Sequence, residues 1–170
     1  LPPTAGIVIG APHTSNWDFV AFLGVSWSFD VPMKVLVKKS WFRGPLAPLL
    51  RALGGVPVDR DNPQNVVADL VAAAEQGSRF KLVIAPKGTR KQRPYWKSGF
   101  YRIAHQADLP ETLASIDDAR REVEVGPTLQ LSGDVGSDMD LIRQFYADKA
   151  GVHPQLRCEP RLREEQRPES

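Results

Sequence analysis

Short apolar runs recur along the chain, separated by longer stretches that are apolar on one side or all round. Residues 5–10 (AGIVIG), 34–38 (KVLVK), 55–58 (GVPV) and 80–85 (FKLVIA) are short, rich in β-branched side chains and bounded by Gly, Pro or charge. Each predicts a strand. Residues 16–29 carry Trp17, Phe19, Val20, Phe22, Leu23, Val25, Trp27 and Phe29 on nearly every face of a helix. That run is too short to cross a bilayer, so it predicts a buried helix. Phe42, Leu46, Leu49, Leu50 and Leu53 also fall at helical spacing, with Gly44, Pro45 and Pro48 expected to distort the helix they form. Asn62 and Pro63 mark a further helix start, and Val66, Val67, Leu70, Val71 and Ala74 form its stripe up to Gly77.

Farther on, residues 98–106 predict a helix, 112–117 a weaker strand and 122–125 a fainter one. Ser137 and Asp140 read as a capping box before Leu141, Ile142, Phe145 and Tyr146, with Gly151 as the stop. From Arg157 onward the chain is polar, and residues 157–170 are expected to form a disordered tail. Strands that alternate with helices predict an α/β fold. The expectation is a single domain over residues 1–156, with a mainly parallel or mixed central sheet flanked by helices.

Composition narrows the function. The 170 residues are 42% hydrophobic and 25% charged, enough for one well-filled core in a soluble globular chain. The net charge of +2 hides an asymmetry: residues 1–106 hold 14 Lys/Arg against 6 Asp/Glu, and residues 107–170 hold 8 against 14. A basic half of this kind suits an anionic partner. The lone Cys158 rules out an intrachain disulfide, and its neighbours Arg157, Glu159 and Pro160 argue against a nucleophile. His13, His105 and His153 are scattered, so no metal site is expected. Glycine-rich phosphate loops and base-stacking motifs are absent, and nucleic acid is not an expected partner. The chain opens at Leu1 rather than Met, which leaves a preceding anchor segment open.

Three motifs carry chemistry. His13 and Asp18 are five residues apart, a spacing that places His13 in the loop after the first strand and Asp18 in the first turn of the next helix. Asp18 can then accept a hydrogen bond from one ring nitrogen, leaving the other as a base that faces the cleft. Arg60 and Arg90 each follow an apolar run and a loop, and a guanidinium suits phosphate. Gly88 and Thr89 add a backbone that can approach closely and a hydroxyl donor. At the C-terminal edge of a parallel sheet such loops converge on a ligand. Lys38, Lys39, Trp41, Phe42 and Arg43 combine cations with aromatics, followed by Leu46, Leu49, Leu50 and Leu53 with Arg51 among them. That mixture suits the headgroup layer of a membrane. It also fits an amphipathic helix packed on the sheet.

In their order and spacing, His13 with Asp18, Gly55 with Arg60, and the run Pro86-Lys87-Gly88-Thr89-Arg90 resemble the motifs of the glycerolipid acyltransferases, which include the lysophosphatidic acid acyltransferases. The resemblance covers about residues 5–150. It implies an α/β enzyme that moves a fatty acyl group from acyl-CoA or acyl carrier protein to a hydroxyl of a lysophospholipid or glycerol phosphate. His13 would be the base, Asp18 its partner, and Arg60 and Arg90 the binders of the acceptor's phosphate. No metal, cofactor or covalent acyl-enzyme is implied, and the expected location is cytoplasmic, peripheral on the inner face of a membrane.

Two positions depart from the family pattern. Lys87 stands where the family usually has Glu, and Glu111 stands where its fourth motif has an aliphatic residue. The departure at Lys87 keeps a second reading open: a catalytically weak relative that binds lipid or acyl-CoA without efficient turnover. A hydrolase using His13, Asp18 and Ser15 has no G-x-S-x-G elbow to support it.

Overall fold

The computed structural model describes residues 5–12, 33–58, 68, 80–89, 91–117, 122–149, 151 and 153–166. Within them lies one sheet of six strands: β1 (Gly6–Gly10), β2 (Met33–Lys38), β3 (Gly55–Val58), β4 (Lys81–Ile84), β5 (Glu111–Asp117) and β6 (Glu122–Leu129). Among the described residues three α-helices flank it: α1 (Ala47–Ala52), α2 (Gly99–Gln106) and α3 (Val135–Tyr146). The strand order is β3-β2-β4-β1-β5-β6. The first five strands run parallel and β6 pairs antiparallel with β5. This is the α/β arrangement expected from the alternating pattern. Parallel neighbours need long crossovers, and 16 residues separate β2 from β3 whereas four join β5 to β6.

Burial explains why some strands are easier to read than others. Ile7 pairs with Leu82 and Ile9 with Leu113, so these four share one face, and all are fully buried. Val8 and Lys81, on the opposite face, are buried too. A strand buried on both faces reads as a continuous apolar run. Phe100, Ile103 and Ala104 of α2 and Met139, Ile142 and Tyr146 of α3 pack on the Ile7 face. Each such aliphatic or aromatic side chain contributes about 1.5–3 kcal/mol on burial. Pro57 and Pro127 lie in β3 and β6, the two edge strands, where a missing N–H breaks no ladder.

Several elements differ from expectation. The apolar stripe from Phe42 to Leu53 is split into a 3₁₀ turn, Lys39–Arg43, and the short α1, because Gly44 and Pro45 interrupt it. α3 begins three residues earlier than the Ser137 cap implies. Asp134 is its N-cap, and its Oδ1 accepts from the Ser137 N–H at 3.1 Å. The helix ends at Tyr146 rather than running to Gly151. The β6 strand extends through Gly126 and Pro127 to Leu129. The helices expected at 16–29 and 62–77 lie outside the described residues, apart from Ala68.

The polar segment after His153 has a place in the fold. Leu162 is fully buried in the core cluster, and the Trp96 N–H donates to the Arg161 carbonyl at 2.8 Å. Arg157 donates to the carbonyls of Tyr146 and Ala147 at 2.8 and 2.9 Å, capping the C-terminal end of α3. Arg143 of α3 donates to the Pro160 carbonyl at 3.1 Å and pairs with Glu165. Sparse apolar anchors and cations aimed at carbonyls hold this strap, a pattern that composition alone reads as solvated.

Glu111 opens β5 on the core face, paired with Ile7, and is fully buried. Neither carboxyl oxygen has a hydrogen-bond partner among the described residues. Burial, reinforced by the nearby Asp138 carboxylate, pushes its carboxyl up to about 8. Asp138 is held low despite its own desolvation, because Tyr101, Ser132 and Gly133 all donate to it.

Candidate active site

The connection leaving β1 leads to β2 on one side of the sheet, and the connection leaving β4 leads to β5 on the other. β1 and β4 are neighbours, so the first residues after each strand, Ala11 and Pro12 on one and Pro86 and Lys87 on the other, meet in a small crevice at the carboxyl ends of these strands. The chain enters the three motifs from this same edge. His13 follows Gly10, the last residue of β1, by three positions; Arg60 follows Val58, the last of β3, by two; and Pro86 follows Ile84, the last of β4, by two.

Backbone bonds shape the two central loops. After β1, the Ala11 N–H donates to the Ala114 carbonyl of β5 at 3.2 Å. The Tyr146 hydroxyl donates to the Ile9 carbonyl at 2.8 Å, with the Ala114 carbonyl also 3.0 Å away, and thus ties the end of α3 to the tips of β1 and β5. After β4, the Gly88 N–H donates to the Ala85 carbonyl at 2.9 Å and the Lys97 N–H to the Pro86 carbonyl at 2.9 Å. Gly88 sits at φ +65°, and a Cβ there would come within 3.0 Å of the Lys97 side chain. The positive φ calls for a glycine there. The Thr89 hydroxyl accepts from the Lys91 N–H at 3.3 Å.

The two loops meet at a small cavity of about 10 Å³, lined by Gly10, Ala11, Pro12, Pro86, Lys87, Trp96 and Cys158. Lys87 is 4% exposed, and its ammonium donates to the Leu156 carbonyl of the strap at 2.8 Å. Cys158 is buried beside it. Burial pushes its thiol up, against the opposing pull of the Lys87 ammonium. Trp96 stands edge-on to Phe100 and Tyr146, at 6.0 and 5.6 Å between centroids, and forms the floor between crevice and core.

A family model described as Acyltransferase matches residues 1–114. The chain belongs to the glycerolipid acyltransferase family. That match spans β1 to the first half of β5, the strands whose ends form the crevice. No curated protein and no solved structure matches the chain at a significant level.

Of the site residues expected in this acyltransferase, Gly88 and Thr89 lie at the crevice, in the loop after β4. His13, Asp18, Arg60 and Arg90 lie outside the described residues. Sequence reasoning missed Lys97 over Gly88, and Trp96 and Cys158 in the cavity wall. These residues are distant in sequence from the motifs or carry no motif of their own. The direction of Lys87 was equally hidden, because its partner is a backbone carbonyl 69 residues away.

The acyltransferase also presents an apolar and basic surface past β2. Trp41, Leu46 and Leu49 are 61%, 57% and 55% exposed, with Lys39, Arg43 and Arg51 exposed around them. Phe42 is half-buried, with the Arg51 guanidinium 5.6 Å over its ring. Among the described residues no helix is long and apolar enough to cross a membrane.

Proposed function

We propose that this acyltransferase moves a fatty acyl group from acyl-CoA or acyl carrier protein to the hydroxyl of a lysophospholipid or glycerol phosphate. The observation that carries the proposal is the convergence of the carboxyl ends of β1, β3 and β4 on one sheet edge, each two or three residues before a motif residue. His13, oriented by Asp18, takes the acceptor's hydroxyl proton. The oxygen attacks the thioester carbonyl and forms a tetrahedral intermediate. Collapse of that intermediate makes the ester and expels the thiolate, which takes the proton back from His13. Arg60 and Arg90 bind the acceptor's phosphate.

The exposed stripe at Trp41, Leu46 and Leu49 supports a peripheral place on an anionic, cytoplasmic membrane face. Large apolar side chains ringed by cations suit a headgroup layer better than free solvent. The test is to mix the full chain with acyl-CoA and lysophosphatidic acid and follow free CoA. His13→Ala is expected to slow release by about 10²–10⁴-fold, the usual worth of a general base. A variant that keeps near wild-type turnover would remove His13 from this role. A wild-type protein that binds acyl-CoA yet releases no CoA would favour the weak-relative reading.

A further inference from the structure

We infer that Lys87 is a positioning residue that clamps the C-terminal strap to the loop after β4 and so holds Gly88 and Thr89 in place. The inference rests on the acyl-transfer reading for its consequence, but not for its geometry. Lys87 is buried, and its ammonium reaches out of the loop to the Leu156 carbonyl at 2.8 Å. The same strap is pinned twice more just beyond that bond. Arg157 holds the end of α3, and the Arg161 carbonyl accepts from Trp96. The Trp96 neighbour Lys97 donates its backbone N–H to the Pro86 carbonyl. The loop is therefore held at Pro86 by backbone and at Lys87 by side chain, immediately before Gly88 and Thr89.

This gives the departure from the family pattern a structural purpose. A glutamate at position 87 would face the Leu156 carbonyl with a second acceptor and repel it. Lysine turns that contact into a charge-assisted hydrogen bond. Strap and lysine thus belong together: with the strap docked against the crevice, a cationic donor at this position is favoured and a carboxylate is disfavoured. Cys158 lies two residues beyond Leu156 in the cavity wall and reports whether the strap is in place.

The experiment uses the full chain, its single cysteine and two variants, Lys87→Glu and Lys87→Arg. In the wild type a neutral maleimide should label Cys158 slowly under native conditions. Lys87→Glu should speed labelling by about tenfold to a hundredfold, the scale of a lost hydrogen bond to a charged group. Electrostatics acts the other way, because loss of the ammonium disfavours the thiolate, so faster labelling reports release of the strap. Lys87→Arg should label as slowly as the wild type. In turnover, Lys87→Glu should raise the acceptor KM about tenfold or more while kcat and the donor KM hold, and Lys87→Arg should restore the acceptor KM. Unchanged labelling in Lys87→Glu would overturn the clamp. Faster labelling with an unchanged acceptor KM, or a rise in kcat, would overturn the positioning role. A wild type without turnover would sink the acyl-transfer reading alone and leave labelling to judge the clamp.

Discussion

Replacing Glu111 with leucine should stabilise the protein, and the gain should grow with pH. Glu111 is fully buried on the core face of β5 with no hydrogen-bond partner among the described residues. Its carboxyl is pushed up to about 8 from an ordinary 4.5. The folded state therefore keeps the proton over a range in which the unfolded chain has lost it. Below the unfolded value both states are neutral and the group costs nothing by ionising. Between the two values each pH unit removes about 1.4 kcal/mol of stability. Above the folded value the loss levels off at about 5 kcal/mol, a sizeable share of the 5–15 kcal/mol that holds a typical domain together. Leucine has no proton to lose and fills the site with apolar atoms. Urea unfolding, followed by the fluorescence of the four tryptophans, should be run on both proteins from pH 5 to pH 9. The difference between them isolates the titration of Glu111 from every other group. It should widen from pH 5 to pH 8 and then stay constant. A difference that does not change with pH would show that the Glu111 carboxyl is solvated or paired in solution, and the argument would fail.

Two further outcomes follow from other parts of the fold. Asp134→Ala should cost about 1 kcal/mol in unfolding free energy, because it removes the cap on the Ser137 N–H; Ser137→Ala should cost less, and the reverse order would restore the capping box at Ser137. The protein should co-sediment with anionic vesicles at low salt, and Trp41→Ser with Leu49→Ser should weaken a part of that binding that salt does not screen; retention of that part would mean the membrane is met elsewhere.

What the sequence determined by itself follows from local physics. The strands at Gly6–Gly10, Gly55–Val58 and Lys81–Ile84 were legible because burial on both faces, or a short β-branched run between turn residues, leaves a pattern in consecutive positions. The order of the motifs gave the family, because each needs only a few adjacent residues. The faint β6 was harder to read: an edge strand faces solvent, so it carries charge, a glycine and a proline where a central strand would carry a run. Start signals can also be ambiguous over short spans, as Asp134 and Ser137 show; both residue types cap helices, and packing decides which one does.

Only the tertiary structure decided what sits beside what. Strand order brings the ends of β1 and β4 together although 70 residues separate them, and this adjacency makes the crevice. Lys87 looked like a charge reversed within a substrate site, until the fold placed the Leu156 carbonyl against it. The segment from Arg157 onward read as a disordered tail, because most of its attachments are backbone carbonyls and charged side chains, which do not raise local hydrophobicity. Glu111 looked like a weak match to a motif, and became a buried carboxyl only when pairing with β1 fixed which face it occupies. In each case the deciding partner lies far along the chain, and a pattern read from neighbouring positions contains no term for it.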